Sequence, residues 1–219
     1  MSGENNLRVA VLASGRGSNL QALLDAAQDE AFPAKIIGVL SDKSNAQALE
    51  RAKKAGIKSL WVDPSKDSYE ERLGDEIETL GCGLICCAGY MKILTPKFVG
   101  RFSGKIINIH PSLLPSFPGL HSQRKALRAG VQIAGCTVHF IDEGVDTGPV
   151  ILQAAVPVMP GDDEDSLSAR ILGFEHRIYP MAVRLIAEGK IRLDGRRVHV
   201  EGLEMSAGGG FFSPPVTFT

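Results

Sequence analysis

The apolar run Leu7-Arg-Val-Ala-Val-Leu-Ala13 has no helical period, and Ser14-Gly-Arg-Gly-Ser-Asn-Leu20 follows it at once. That order parses as strand, glycine turn, helix, with Ser18 or Asn19 predicted as N-cap and Leu20, Leu23 and Leu24 as the apolar face. The alternation continues down the chain. Residues 35–40 read as a strand, 46–55 as a helix stopped by Gly56, 57–62 as a strand, 68–80 as a helix and 83–88 as a fully apolar strand. Strands that are apolar throughout are buried on both faces, which requires helices on both sides of a parallel sheet. The prediction is therefore an α/β, doubly wound, mostly parallel twisted sheet with right-handed crossovers.

After residue 104 the pattern changes. A strand over 104–110 runs into Pro111-Ser-Leu-Leu-Pro-Ser-Phe-Pro-Gly-Leu120, which no helix can traverse. Irregular loops of this length inside a compact domain are usually functional. Two further strands are predicted at 135–141 and 149–158, flanking the glycine-bearing loop 142–148. An acidic turn at Asp162 opens a long amphipathic helix reaching about Ala187 and ended by Gly189. A hairpin is signalled around Asp194-Gly195. No repeat or linker interrupts the chain, so 1–205 is expected to be a single domain and 206–219, with its glycines and paired prolines, a disordered tail.

Composition narrows the function classes. With 24 Lys and Arg against 25 Asp and Glu among 219 residues, the net charge of -1 argues against a dedicated nucleic-acid binder. No apolar run approaches the roughly 20 residues needed to cross a bilayer, and the polar start Met-Ser-Gly-Glu-Asn-Asn is no signal peptide, so a cytoplasmic location is expected. Cys82, Cys86, Cys87 and Cys136 are too few and too clustered for a disulfide framework, and no second ligand pair follows at zinc-site spacing. They read as core residues.

Three features carry chemistry. The turn Gly15-Arg-Gly-Ser-Asn presents backbone N–H groups at a helix N-terminus, the arrangement that binds phosphate oxygens. It is neither a P-loop nor a good dinucleotide fingerprint, and the plainer alternative is a tight turn with a helix cap. Asn108 and His110, two apart on a strand, project together where the chain leaves the sheet, the edge at which open α/β sheets bind ligands. The alternative there is a pair that braces the proline loop. Thr137, His139, Asp142 and Asp146 form a second set; Asp146 could reach an imidazole across the sheet edge, whereas a lone strand histidine such as His139 is more often a core or rim residue. His110, His121 and His139 lack metal-ligand spacing, so no metal is expected.

At these residues the sequence resembles the phosphoribosylglycinamide formyltransferase family. The motifs are Ser14-Gly-Arg-Gly-Ser-Asn-Leu-Gln21, Ala88-Gly-Tyr-Met-Lys-Ile-Leu94, Asn108-Ile-His-Pro-Ser-Leu-Leu-Pro115, Pro118-Gly-Leu-His121, Asp146-Thr-Gly-Pro-Val-Ile-Leu-Gln153 and Glu175-His-Arg-Ile-Tyr-Pro180. The resemblance implies a Rossmann-like formyltransferase fold and transfer of a formyl group from 10-formyltetrahydrofolate, as cosubstrate, to the amine of glycinamide ribonucleotide. It implies donors to an oxyanion at Asn108 and His110, with Asp146 keeping the imidazole protonated and oriented. It also implies that Gly17, Ser18 and Asn19 hold the phosphate, that Glu175 meets the ribose and that Pro111 lies against the same substrate. The folate is implied to lie along Met91, Lys92, Ile93 and Leu94, near Asn108, with Lys66 at its acidic tail. The competing readings are a formyltetrahydrofolate hydrolase, which would usually add an N-terminal regulatory domain, and a methionyl-tRNA formyltransferase-like enzyme, which would add a basic C-terminal one. A noncatalytic nucleotide-binding module would leave Asn108, His110 and Asp146 unexplained as a set. A monomer or homodimer without nucleic-acid or membrane partners is expected.

Overall fold

The structure is a computed structural model, and it describes residues 6–202; the tail predicted over 206–219 lies outside the described residues. In chain order the elements are β1 (Leu7–Leu12), α1 (Ser18–Ala26), β2 (Ala34–Ser41), α2 (Gln47–Lys54), β3 (Lys58–Trp61), α3 (Tyr69–Leu80), β4 (Leu84–Cys87), α4 (Pro96–Arg101) and β5 (Ile106–His110). Then come α5 (Ser122–Ala129), β6 (Ile133–Phe140), β7 (Val150–Pro157), α6 (Glu164–Ala187), β8 (Ile191–Asp194) and β9 (Arg197–Val200). Seven strands form one sheet in the order β3-β2-β1-β4-β5-β6-β7, and β8 and β9 form the expected hairpin.

The first five strands are parallel, as their two-sided apolarity requires, while β6 and β7 join antiparallel. Alternation along β1 sends Val9, Val11 and Ala13 into a large core beneath α1, α2 and α6, and Ala10 and Leu12 into a smaller one beneath α3 and α4. The chain leaves β1 toward β2 and β3, then returns to β4 on the other side. The topological switch point is therefore between β1 and β4, where such sheets open a crevice at their carboxyl edge.

On β5 and β6, Ile107, Ile109, Cys136, Val138 and Phe140 face the large core, so Asn108, His110, Thr137 and His139 face the other side. The irregular segments 111–121 and 142–148 cover that face. Thr137 is fully buried and holds the proline loop: its hydroxyl donates to the Ser112 carbonyl (2.7 Å) and accepts from Leu114 N–H (3.1 Å).

One expected cap is corrected. The N-cap of α1 is Gly17, in the left-handed region at φ 70°, rather than Ser18 or Asn19, and no side chain caps this end. A side chain at Gly17 would lie 2.9 Å from Ala48 Cα, so close packing on α2 imposes glycine. The first amides of α1 are consequently free for a ligand.

Candidate active site

His110, at the end of β5, is buried. Its Nε2 lies 3.1 Å from the Phe117 carbonyl and 3.1 Å from Ser122 Oγ, whose own hydrogen goes to the Gly119 carbonyl. A carbonyl only accepts, so these partners assign the hydrogen to Nε2. Nδ1 faces Asp146 Oδ2 at 3.3 Å. Burial pushes the His110 imidazole below its ordinary range, and the Asp146 carboxylate and Phe117 carbonyl only partly restore it. The shift favours the neutral ring, in which Nε2 carries the hydrogen and the Nδ1 lone pair points toward the carboxylate. The Asp146 carboxylate does favour the protonated ring, as expected, but burial acts against it more strongly. Once protonated, the ring would have an acceptor at each nitrogen.

Asp146 is fixed from three sides. Gly119 N–H donates to its Oδ2 (2.7 Å), His110 approaches the same oxygen, and His139 Nε2 lies 3.6 Å from Oδ1. Burial raises its pKa, but the bonds and charges of His139, Gly119 and His110 outweigh this and hold the carboxyl below the usual range. Its backbone sits at φ 55°, and Phe117 and His121 share the left-handed conformation at 55° and 60°. Such backbone strain in non-glycine residues persists where surrounding contacts over-determine it.

His139, read as a rim or core residue, belongs to this cluster. Its Nδ1 hydrogen goes to the Phe140 carbonyl (2.8 Å), and its Nε2 lies 3.3 Å from Asn108 Nδ2 and 3.6 Å from Asp146 Oδ1. The signal that could have found it is the antiparallel register pairing Asn108 with His139 and His110 with Thr137. Asp142, from the same candidate set, stabilises its own loop by accepting from Gly144 N–H and the Thr147 hydroxyl.

A second group forms at the open end of α1. Asn19 is 8% exposed and donates through Nδ2 to Glu175 Oε2 on α6 (2.7 Å), while its Oδ1 is buried without a partner. Glu175 is 6% exposed, and burial raises its pKa against the pull of that bond. A carboxyl group and an unpartnered amide oxygen beside free helix amides form a polar site suited to a phosphorylated, hydroxylated ligand. Gly17, Ser18, Asn19 and Glu175 are thereby brought together, and Pro111 opens the loop directly after His110.

The third group borders the switch point. Met91 and Ile93 are 61% and 76% exposed, unusual for large apolar side chains, and leave a surface for a flat apolar ligand. Leu94 differs from its neighbours: its side chain is buried in the small core, so only its backbone is available to a ligand. Lys92 Nζ stands 5.1 Å from the centre of the Tyr69 ring. Lys66 is exposed on the turn before α3, joined to this rim through the bond from Tyr69 N–H to its carbonyl.

The sequence profile of the formyl transferase family matches residues 7–183. The chain belongs to this family, among the phosphoribosylglycinamide formyltransferases. The formyltransferase of that name from Escherichia coli is 42% identical over 207 residues, covering 90% of this chain and 98% of its own. A crystal structure of glycinamide ribonucleotide transformylase 1 from Symbiobacterium toebii superposes with a TM-score of 0.87 at 48% identity, covering 90% of this chain and 95% of that one. The trifunctional purine biosynthetic protein adenosine-3 of Drosophila pseudoobscura pseudoobscura is 52% identical over 191 residues, 84% of this chain. The chain spans only 14% of that longer relative. In this fold the sheet places the three groups along or beside one carboxyl edge. No helix among the described residues is long and apolar enough to cross a membrane.

Proposed function

We propose that this enzyme transfers the formyl group of 10-formyltetrahydrofolate to the primary amine of glycinamide ribonucleotide, giving the formylated ribonucleotide and tetrahydrofolate. The observation that carries the reading is the cluster of Asn108, buried His110, buried His139 and Asp146 at the sheet edge. It joins a neutral imidazole, a fixed carboxylate and an oriented amide. The ribonucleotide phosphate meets the backbone amides of Gly17, Ser18 and Asn19, and Glu175 accepts hydrogen bonds from the ribose hydroxyls, with Pro111 flanking the substrate. The folate lies against Met91, Lys92 and Ile93 and the backbone at Leu94, with Lys66 beside its acidic tail and Asn108 at its reactive end.

In this reading the amine nitrogen attacks the formyl carbon, and the carbonyl electron pair moves to oxygen. Neutral His110 takes the proton released by the attacking nitrogen. The resulting imidazolium, paired with Asp146, stabilises the oxyanion together with the Asn108 amide. The 3.3 Å separation at Nδ1 is longer than a closed charge-assisted bond, so this edge of the ring remains approachable. Collapse of the intermediate breaks the bond from the formyl carbon to N10, and His110 returns the proton to N10, leaving the ring neutral again. The net proton path runs from amine to folate nitrogen.

Both substrates are small, soluble molecules, so no nucleic-acid or membrane partner is invoked, and the reaction is placed in the cytoplasm. A donor carrying carbon-13 in its formyl group tests the transfer. The label is expected on the ribonucleotide amine with the wild-type protein; label recovered only as free formate would contradict it.

A further inference from the structure

The hydrogen-bonded ladder between β1 and β4 does not stop where the strands stop. Ala88 N–H donates to the Leu12 carbonyl (2.8 Å), Ser14 N–H to the Gly89 carbonyl (3.1 Å), and Met91 N–H to Ser14 Oγ (2.8 Å). The chain therefore leaves β1 and β4, at the switch point, as two segments bonded to each other. One carries the open end of α1, and the other carries exposed Met91 and Ile93.

The first of these segments is also held on its opposite flank. Ala48 N–H donates to the Gly15 carbonyl (3.1 Å), Arg51 Nε donates to the Arg16 carbonyl (2.8 Å), and Gly17 packs against Ala48. A loop pinned on both flanks has little slack, so restraint applied at one flank reaches the amides that begin α1. Of the three bonds that join the two segments, the one to Met91 N–H is made by a side chain, the Ser14 hydroxyl.

We propose that Ser14 is a positioning residue that couples the two substrate sites. Ligand seated along 89–94 fixes that segment, and the bond from Met91 N–H to Ser14 Oγ passes the restraint to the phosphate-binding turn. The second ligand then pays less ordering entropy, so each substrate tightens binding of the other by the same factor. The inference rests on the substrate assignments proposed above, and it adds a residue that touches neither ligand.

Calorimetric titration tests it with the wild-type protein, Ser14→Ala and Ser14→Thr. Glycinamide ribonucleotide is titrated with and without saturating tetrahydrofolate, which lacks the formyl group and so cannot react. The wild type is expected to bind the ribonucleotide about five-fold or more tightly when tetrahydrofolate is present. Ser14→Ala should keep the wild-type melting temperature, since solvent can satisfy the exposed Met91 N–H, and should bind each ligand alone as before while losing the tightening. Ser14→Thr, which keeps the hydroxyl, should retain it. Tightening that persists in Ser14→Ala would overturn the proposal, as would a wild type that binds both ligands independently. A wild type that binds neither ligand removes the functional reading and this proposal with it.

Discussion

In the proposed reaction the chemistry turns on His110, whose surroundings oppose each other. Burial disfavours its charged form, yet both ring nitrogens face acceptors that only an imidazolium satisfies together. A ring that must be neutral to take the amine's proton loses function as pH falls through its depressed pKa. Apart from the limb set by the substrate amine, the limb that His110 contributes to the pH profile is therefore expected below the ordinary imidazole range around 6.5. Removing the Asp146 charge removes an influence that raises the His110 pKa, so in Asp146→Asn that limb should move to still lower pH while kcat falls by about 10²-fold or more. Asparagine also tolerates the left-handed backbone at this position, so the variant changes charge with little change of geometry. A pH–rate profile of both proteins decides it. His110→Ala should lower kcat by roughly 10²- to 10³-fold while the circular dichroism spectrum and melting temperature stay near wild type.

Glu175 illustrates the stability cost of a residue proposed to bind the ribose. Its pKa is raised in the folded state, so the folded protein binds its proton more tightly than the unfolded chain. Any stability from the protonated form is complete below the unfolded pKa and is lost as pH rises through the folded one. Glu175→Gln should therefore stabilise the protein by about 1 kcal/mol at pH 8 and by less at pH 4.5, while weakening ribonucleotide binding. Thermal melts at the two pH values read the first effect and calorimetry the second.

Among the elements, the loop 142–148 is sensitive to change, because its exit is packed against β6. A Cβ at Gly148 would overlap the Phe140 carbonyl oxygen, part of the backbone that also receives His139 Nδ1. Gly148→Ala is expected to destabilise the fold by about 3 kcal/mol and to displace Asp146, with a chemical denaturation midpoint and kcat both falling.

This is also the scale at which the sequence was legible or not. The parallel strands announced themselves because burial on both faces leaves them no polar residues to interrupt the run. Helix α4 spans six residues, too few for periodicity to show, although its Thr95 cap and Pro96 are there to be seen. Helix α5 buries only Ser122 and Ala126, so it has no apolar stripe to read. The N-cap of α1 could not be read locally, because the residue that makes Gly17 necessary is Ala48, on another helix. Asn108 and His110 were visible as a same-face pair on one strand. His139 was not tied to them, since that requires the antiparallel register of β6, which residue spacing does not contain.

For the molecule as a whole, the sheet's topology explains why chemistry contributed by distant segments converges. The return of the chain from β3 to β4 opens the switch point between the glycine turn before α1 and the 89–94 segment, and β5 delivers Asn108 and His110 toward the same edge. Antiparallel addition of β6 then sets His139 opposite Asn108, and the two irregular loops close over that face. The near-zero net charge fits such an arrangement, in which local amides and a few side chains select small ligands in place of a broad basic surface. The central claim is that formyl transfer depends on the ribonucleotide. It is tested most directly by following the absorbance of 10-formyltetrahydrofolate mixed with the protein, with and without glycinamide ribonucleotide. Rapid loss of the formyl group is expected only when the ribonucleotide is present; loss at the same rate without it would contradict ribonucleotide-dependent transfer and identify a hydrolase.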